Sequence, residues 1–118
     1  MRDELRDPLR LEHIRNAIEQ LSNAAKDTHF FNLNEKDLAY YGVVKLLEII
    51  GEAAYKLSND FKSKHPSTPW KYVVGMRHVL VHGYYQINKE DLFKTIRDDL
   101  TILYNQIMSY IEEITLEE

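Results

Sequence analysis

Apolar residues recur at spacings of three and four in the segment 8–26, with polar residues between them, and this pattern predicts an amphipathic first helix. Asp7 followed by Pro8 predicts where the helix begins, because proline suits the first turn and an acid there favours the helix dipole. The apolar positions of this helix are Leu11, Ile14, Ile18, Leu21 and Ala25.

A second helix is predicted to begin after Asn34 as N-cap and to run to about Phe61. Its middle, Val43–Ala54, is apolar nearly all round, which predicts cover on more than one side. Gly42 and Gly51 each cost about 1 kcal/mol relative to alanine inside a helix. We therefore expect another backbone to approach this helix closely at those positions.

Two carboxylates, Glu48 and Glu52, lie one turn apart on the same apolar helix. A buried carboxylate needs a partner, because burying an unpaired charge is costly. Arg77 is one candidate for that partner.

Thr68 followed by Pro69 predicts the N-cap and first position of a short third helix, which extends to about His82. Gly83 is well suited to end it in a left-handed conformation. Trp70 and Tyr72, near its start, are expected in the core rather than as surfaces on which bases stack.

Asn88 is the predicted cap of the last helix, which carries an unbroken apolar stripe. No segment alternates over a useful length as a strand would, so the chain is predicted to be all-α. We expect a single domain over residues 1–118, an antiparallel helical bundle with a short additional helix before the last one. The stripe consists of Leu92, Ile96, Leu100, Leu103, Ile107, Ile111 and Ile114.

Composition excludes several classes of protein. The absence of cysteine rules out disulfides and thiolate metal sites. No apolar run approaches the roughly 20 residues that span a bilayer, and the first residues lack the pattern of a secretory signal. We expect a cytoplasmic protein of a bacterium or archaeon without a membrane partner.

Charge is unevenly distributed, although the formal net charge is −4. The segment 61–89 contains no acid, five cations and three histidines. This is either a chance gap in acids or a local positive field suited to a polyanion. The cations are Lys62, Lys64, Lys71, Arg77 and Lys89.

Arg77 and His82 are the candidate catalytic residues. On a straight helix they diverge by about 140°, yet long side chains within one and a half turns could converge on one group. A neutral imidazole can take the proton of a ribose 2′-hydroxyl, and a guanidinium can hold phosphate oxygens as charge builds up. This chemistry selects RNA, because DNA lacks the 2′-hydroxyl.

Two other interpretations of the same residues remain open. His78 and His82, four residues apart, could share a metal ion, but no third ligand is evident. Alternatively, the histidine is structural and the arginine belongs to an ion pair.

The spacing Arg77-x4-His82-x-Tyr84 resembles the motif of the HepT-like toxins in the HEPN superfamily. Further segments that resemble the family are 10–14, 47–54, Pro69-Trp70 and 75–77. The resemblance implies a HEPN four-helix bundle, a homodimer with two copies of the motif facing one cleft, and a metal-independent ribonuclease toxin that needs no cofactor.

The same resemblance assigns roles and a partner. It implies catalysis by Arg77 and His82, and silencing by adenylylation of Tyr84 by an MntA-type minimal nucleotidyltransferase antitoxin. His78, Lys71 and Tyr85 are candidates to support RNA binding. The alternative is a non-catalytic HEPN module that binds nucleotide or substrate for the nucleotidyltransferase.

Overall fold

The computed structural model describes residues 2–34, 36–77 and 89–117, and those residues form helices and connecting turns without a strand. The predicted all-α class and helical bundle are confirmed. The elements are α1 (Arg2–Ala24), a 3₁₀ turn (Phe30–Asn32), α2 (Leu38–Lys56), α3 (Asn59–Lys64), α4 (Trp70–Gly75), α5 (Lys89–Lys94), a π segment (Thr95–Asp99) and α6 (Leu100–Glu117).

The core lies between α1, α2 and α6, with α4 packed against α2. The predicted face of α1 is confirmed, since Leu11, Ile14, Ile18 and Leu21 are each at most 1% exposed. Helices α1 and α6 are antiparallel, because the beginning of α1 lies beside the end of α6 and its later turns lie beside earlier turns of α6.

The predicted start of α1 is wrong. The helix begins at Arg2 and passes through Pro8. Asp7, expected to favour the first turn, is buried and accepts hydrogen bonds from the Ser58 backbone N–H at 2.9 Å and hydroxyl at 2.7 Å. Its carboxylate thus joins α1 to a distant segment instead of starting α1.

The same contact accompanies a break in the predicted second helix. Instead of continuing to Phe61, α2 ends at Lys56, and α3 begins at Asn59. The Ser58 hydroxyl caps α3 by accepting from the Phe61 N–H at 3.1 Å. A serine that caps a new helix supplies a local reason for the break.

Asn34 does not cap α2, which begins at Leu38. Its backbone N–H donates to the Asp37 carboxylate at 2.8 Å, and its side-chain oxygen accepts from the Lys36 N–H at 3.0 Å. Asn34 therefore shapes a turn before the helix, as asparagine commonly does.

Thr68 is not the N-cap of α4 either. Its buried hydroxyl donates to Gln106 at 2.8 Å and is hydrogen-bonded to the Tyr110 hydroxyl. Pro69 occupies the cap position without a side-chain bond. Thr68 therefore ties the approach to α4 onto α6.

Helix α4 ends at Gly75 rather than at His82. The N–H groups of Met76 and Arg77 bond the carbonyls of Val73 and Val74, three residues back, each at 3.1 Å. This tightening is typical of a helix that is ending. The expected termination at Gly83 lies outside the described residues.

The last helix carries its apolar stripe as predicted, interrupted by a π turn at Thr95–Asp99 in which the Leu100 N–H bonds the Thr95 carbonyl. The stripe is buried from Leu92 to Ile107 and partly buried at Ile111 and Ile114. The predicted cap, Asn88, lies outside the described residues. Across the described helices, no stretch is both long enough and apolar enough to cross a membrane.

Candidate active site

Arg77 lies in the turn that follows α4, and its guanidinium rests on the surface of α2. The guanidinium carbon is 3.6 Å from the centroid of the Tyr55 ring, a cation–π contact. One nitrogen, Nη1, is 3.8 Å from a Glu52 carboxylate oxygen, and the side chain is 26% exposed. Because a guanidinium carries five N–H donors, this arrangement fixes its plane and leaves donors for an anion.

Gly51 explains how the Arg77 backbone reaches this position. A Cβ atom on Gly51 would lie 2.1 Å from the Arg77 backbone nitrogen and 2.8 Å from the Met76 carbonyl carbon. The predicted close approach of a backbone is therefore confirmed at Gly51. It is wrong at Gly42, where a Cβ would meet nothing within 4 Å among the described residues.

Of the two α2 carboxylates, Glu52 is the one that pairs with Arg77. Its other oxygen lies 3.8 Å from the Lys56 ammonium, and its side chain is 45% exposed, so the expected burial is wrong. Glu48 instead pairs with Lys45 at 2.6 Å. Such half-exposed pairs orient side chains while contributing little stability.

Helix α4 is fixed to the bundle on both of its sides. Trp70 is in the core, as predicted, whereas Tyr72 is 48% exposed and is not. The Tyr72 hydroxyl is 3.0 Å from the Thr95 hydroxyl and donates to the Asp99 carboxylate at 2.8 Å. Burial, together with Asp99, raises the pKa of Tyr72 above its usual value.

The remaining predicted site residues divide into two groups. Lys71 is exposed on the first turn of α4. His78, His82, Tyr84 and Tyr85 lie outside the described residues, so the expected convergence of Arg77 and His82 stays a prediction. Within the part of the chain that is described, no three histidine or acidic side chains are grouped as a metal site requires.

Segment 61–89 was predicted to carry a positive field, but in the structure acidic side chains lie beside two of its cations. Lys64 pairs with Asp60 at 3.0 Å, and Arg77 pairs with Glu52 from another helix. The gap in acids along the chain is thus filled in space by Asp60, one turn before Lys64, and by Glu52 of α2. Sequence reasoning missed Tyr55, whose contact with Arg77 links residues 22 positions apart and leaves no local pattern.

Known proteins are similar to this chain over a region that includes Arg77. The family model described as "Ribonuclease HepT-like" matches residues 14–110. "Probable ribonuclease HepT" of Thermococcus cleftensis is 36% identical over 93 residues, which cover 79% of this chain and 84% of that protein.

Two further relatives are similar over comparable lengths. "Putative RNase MJ1380" of Methanocaldococcus jannaschii is 35% identical over 70% of this chain and 75% of its own length. "Putative RNase TTE0752" of Caldanaerobacter subterraneus subsp. tengcongensis is 33% identical over 87% of this chain and 92% of its own length. The search of solved structures found no significant match.

Proposed function

Because this chain belongs to the HepT-like ribonuclease family, we propose that it is a metal-independent endoribonuclease and the toxin of a type II toxin–antitoxin pair. Its relatives are named as ribonucleases, which supports RNA as the substrate. Arg77 and His82 are the proposed catalytic residues.

The observation that carries this proposal is the setting of Arg77. Its guanidinium is held flat on Tyr55 and by one edge on Glu52, yet it remains 26% exposed. An arginine buried only for stability would have its donors enclosed by protein. This one is preorganised to receive the non-bridging oxygens of a phosphodiester.

In the proposed reaction, the neutral imidazole of His82 removes the proton of a ribose 2′-hydroxyl. The 2′-oxygen attacks phosphorus, and the bond from phosphorus to the 5′-oxygen of the next nucleotide breaks. Arg77 holds the negative charge that builds up on the phosphoryl oxygens. The products are a 2′,3′-cyclic phosphate and a 5′-hydroxyl, which takes up a proton.

That last proton calls for a second acid, and we propose that a homodimer supplies it. A single motif offers one imidazole at position 82, whereas a cleft lined by two copies offers both a base and an acid. Sedimentation at low protein concentration should show a dimer. A monomer that cleaves RNA at full rate would contradict this arrangement.

We further propose that an MntA-type nucleotidyltransferase silences the enzyme at Tyr84. The tyrosine oxygen would attack the α-phosphate of ATP, forming a Tyr–AMP bond and releasing pyrophosphate. The added phosphate places negative charge near the catalytic pair and competes with RNA for Arg77. Mass spectrometry should locate the label on Tyr84, with Tyr84→Phe unlabelled; a label on Tyr85 would contradict the assignment.

The central test is RNA cleavage by Arg77→Ala and His82→Ala in buffer containing a chelator. We expect both variants to lose cleavage while keeping the helicity and melting temperature of the wild type, since both roles depend on the polar head. Arg97→Ala is the matched control, because Arg97 is exposed and bonds only the adjacent Asp98 among the described residues.

His78, Lys71 and Tyr85 are proposed to support RNA binding, so their alanine variants should weaken binding without abolishing cleavage. A wild-type protein that binds the nucleotidyltransferase but cleaves no RNA would favour the non-catalytic HEPN module instead.

A further inference from the structure

A basic cleft of about 580 Å³ lies between the first half of α1, the end of α2 and the start of α3. Four cations line it, Arg6 and Arg10 from α1, Lys56 from α2 and Lys62 from α3. Among the described residues that line the cleft there is no acid. Two of these cations come from the N-terminal helix, so the charge pattern of segment 61–89 did not reveal the cleft.

Arg10 has an unmet hydrogen-bonding requirement in this cleft. Its Nε atom is fully buried and has no hydrogen-bond partner within the described part of the chain. A buried donor without an acceptor is costly, whereas an anionic oxygen would satisfy it with a strong bond. A ligand that reaches this donor must first displace the atoms that cover it, so the grouped cations, rather than this donor alone, mark the cleft as a site for an anion.

Lys62 is also partly withdrawn from water. Its ammonium donates to the backbone carbonyls of Ala54 at 3.2 Å and Tyr55 at 3.3 Å, near the end of α2. Burial lowers its pKa, and the opposing influence of the Asp7 carboxylate is smaller. An anion in the cleft would stabilise the charged form of Lys62.

Tyr55 connects the cleft to the candidate active site. The residue lines the cleft, and its ring also carries the Arg77 guanidinium at 3.6 Å. A chain of phosphates that reaches Arg77 can therefore continue past Tyr55 to the cations of α1.

We propose that the basic cleft of Arg6, Arg10, Lys56 and Lys62 binds the phosphodiester backbone of the RNA whose scissile phosphate is held by Arg77. This inference rests on the proposed ribonuclease function. Grouped cations favour an anion, and the position beside Arg77 favours the substrate backbone over an unrelated anion.

The test measures binding of a fluorescent single-stranded RNA by anisotropy, with His82→Ala as background to prevent cleavage. We expect Arg6→Gln/Arg10→Gln to weaken binding about tenfold, because hydrogen bonds between charged groups are strong. The slope of log affinity against log salt should fall by about 0.7 for each lost phosphate contact. Arg10→Lys keeps the charge and should retain most of that slope.

Arg15→Gln is the matched control. It removes one positive charge from α1, as Arg6→Gln alone does, but Arg15 bonds only Asn16 among the described residues and does not line the cleft. We expect RNA affinity and salt slope to be unchanged in this variant. Melting curves of all variants separate weaker binding from loss of fold, and Arg6→Gln alone tests the cleft without disturbing the partly buried Arg10.

The outcomes distinguish this inference from the proposed function. If the wild type cleaves RNA but the double variant binds it with wild-type affinity and slope, the cleft proposal is overturned and the ribonuclease proposal stands. If the wild type cleaves no RNA but binds it through Arg6 and Arg10, the cleft is an RNA-binding site, while the catalytic proposal and the assignment of a scissile phosphate to Arg77 both fail. Weakening by Arg15→Gln equal to that by Arg6→Gln alone would also overturn the cleft proposal, because the effect would be one of overall charge.

Discussion

The two ends of α4 are held in different ways. At its beginning, Trp70 is 9% exposed, its ring lies 6.1 Å from those of Phe61 and Tyr110, and its Nε1 donates to the His65 carbonyl at 2.9 Å. At its end, Arg77 keeps polar contacts with half-exposed partners. Helix α4 thus joins an end anchored in the core to a turn whose arginine is held by half-exposed partners.

This difference indicates that the first residue of the six-residue helix α4 contributes stability, whereas the turn after the helix positions Arg77. Buried aromatic packing contributes stability through area removed from water. A guanidinium held on a ring face and by a long ion pair contributes little stability, but these contacts fix its orientation without a ligand. Substitutions at the two ends should therefore separate stability from activity.

The largest effect is expected from Trp70→Ala, which should lower the free energy of unfolding by about 3–5 kcal/mol. The variant removes the aromatic packing and the bond to the His65 carbonyl. Urea unfolding followed by circular dichroism measures the change. If Trp70→Ala does not fold, Trp70→Phe should fold with an intermediate loss, while a wild-type transition in either variant would refute the anchoring role.

Gly51→Ala should lower both the stability of the fold and the rate of RNA cleavage. A Cβ at 2.1 Å from the Arg77 nitrogen must displace the turn that carries the guanidinium. We expect a loss of about 1–3 kcal/mol in stability and a loss of RNA cleavage larger than that destabilisation explains.

Gly42→Ala is the matched control on the same helix. Its Cβ meets nothing within 4 Å in the described structure, so the variant should gain about 0.5–1 kcal/mol from better helix propensity. RNA cleavage should stay at the wild-type level. Equal behaviour of the two alanine variants would contradict the close approach at Gly51.

A part of the site could be predicted from sequence because its signals are local. The apolar stripes fixed the buried faces, and Gly51 within an apolar helix indicated the close backbone. Arg77 was a predicted candidate to pair with Glu48 or Glu52, and Glu52 is its partner, although that carboxylate is 45% exposed rather than buried.

Other features depend on contacts between distant segments and leave no periodic pattern. The bond from Asp7 to Ser58 joins residues 51 positions apart, and each of these two residues lies where a helix boundary was wrongly predicted. The stacking of Arg77 on Tyr55 depends on how α4 lies across α2. Neither geometry follows from residue types alone.

The smallest effect is expected from Glu52→Gln, which should change the free energy of unfolding by less than about 0.5 kcal/mol because the pair is half exposed. If Arg77 binds RNA phosphate as proposed, the Glu52 carboxylate competes with that phosphate, so RNA affinity should rise by about threefold. Lys45→Gln, which disrupts the separate pair with Glu48, should leave RNA affinity unchanged. Weaker RNA binding by Glu52→Gln would show that the carboxylate positions Arg77 more than it competes.

The π segment Thr95–Asp99 has a consequence for length variation among relatives. A π turn is equivalent to an α-helix that has accepted one extra residue, and removing that residue would rotate everything beyond it by about 100°. Thr95, whose hydroxyl is hydrogen-bonded to the Tyr72 hydroxyl, would then be turned by about 100° relative to the apolar side chains of α6. A single-residue gap in an alignment here therefore marks a change in how the side chains before the π turn are oriented relative to α6, and with it a change in how Tyr72 of α4 is supported.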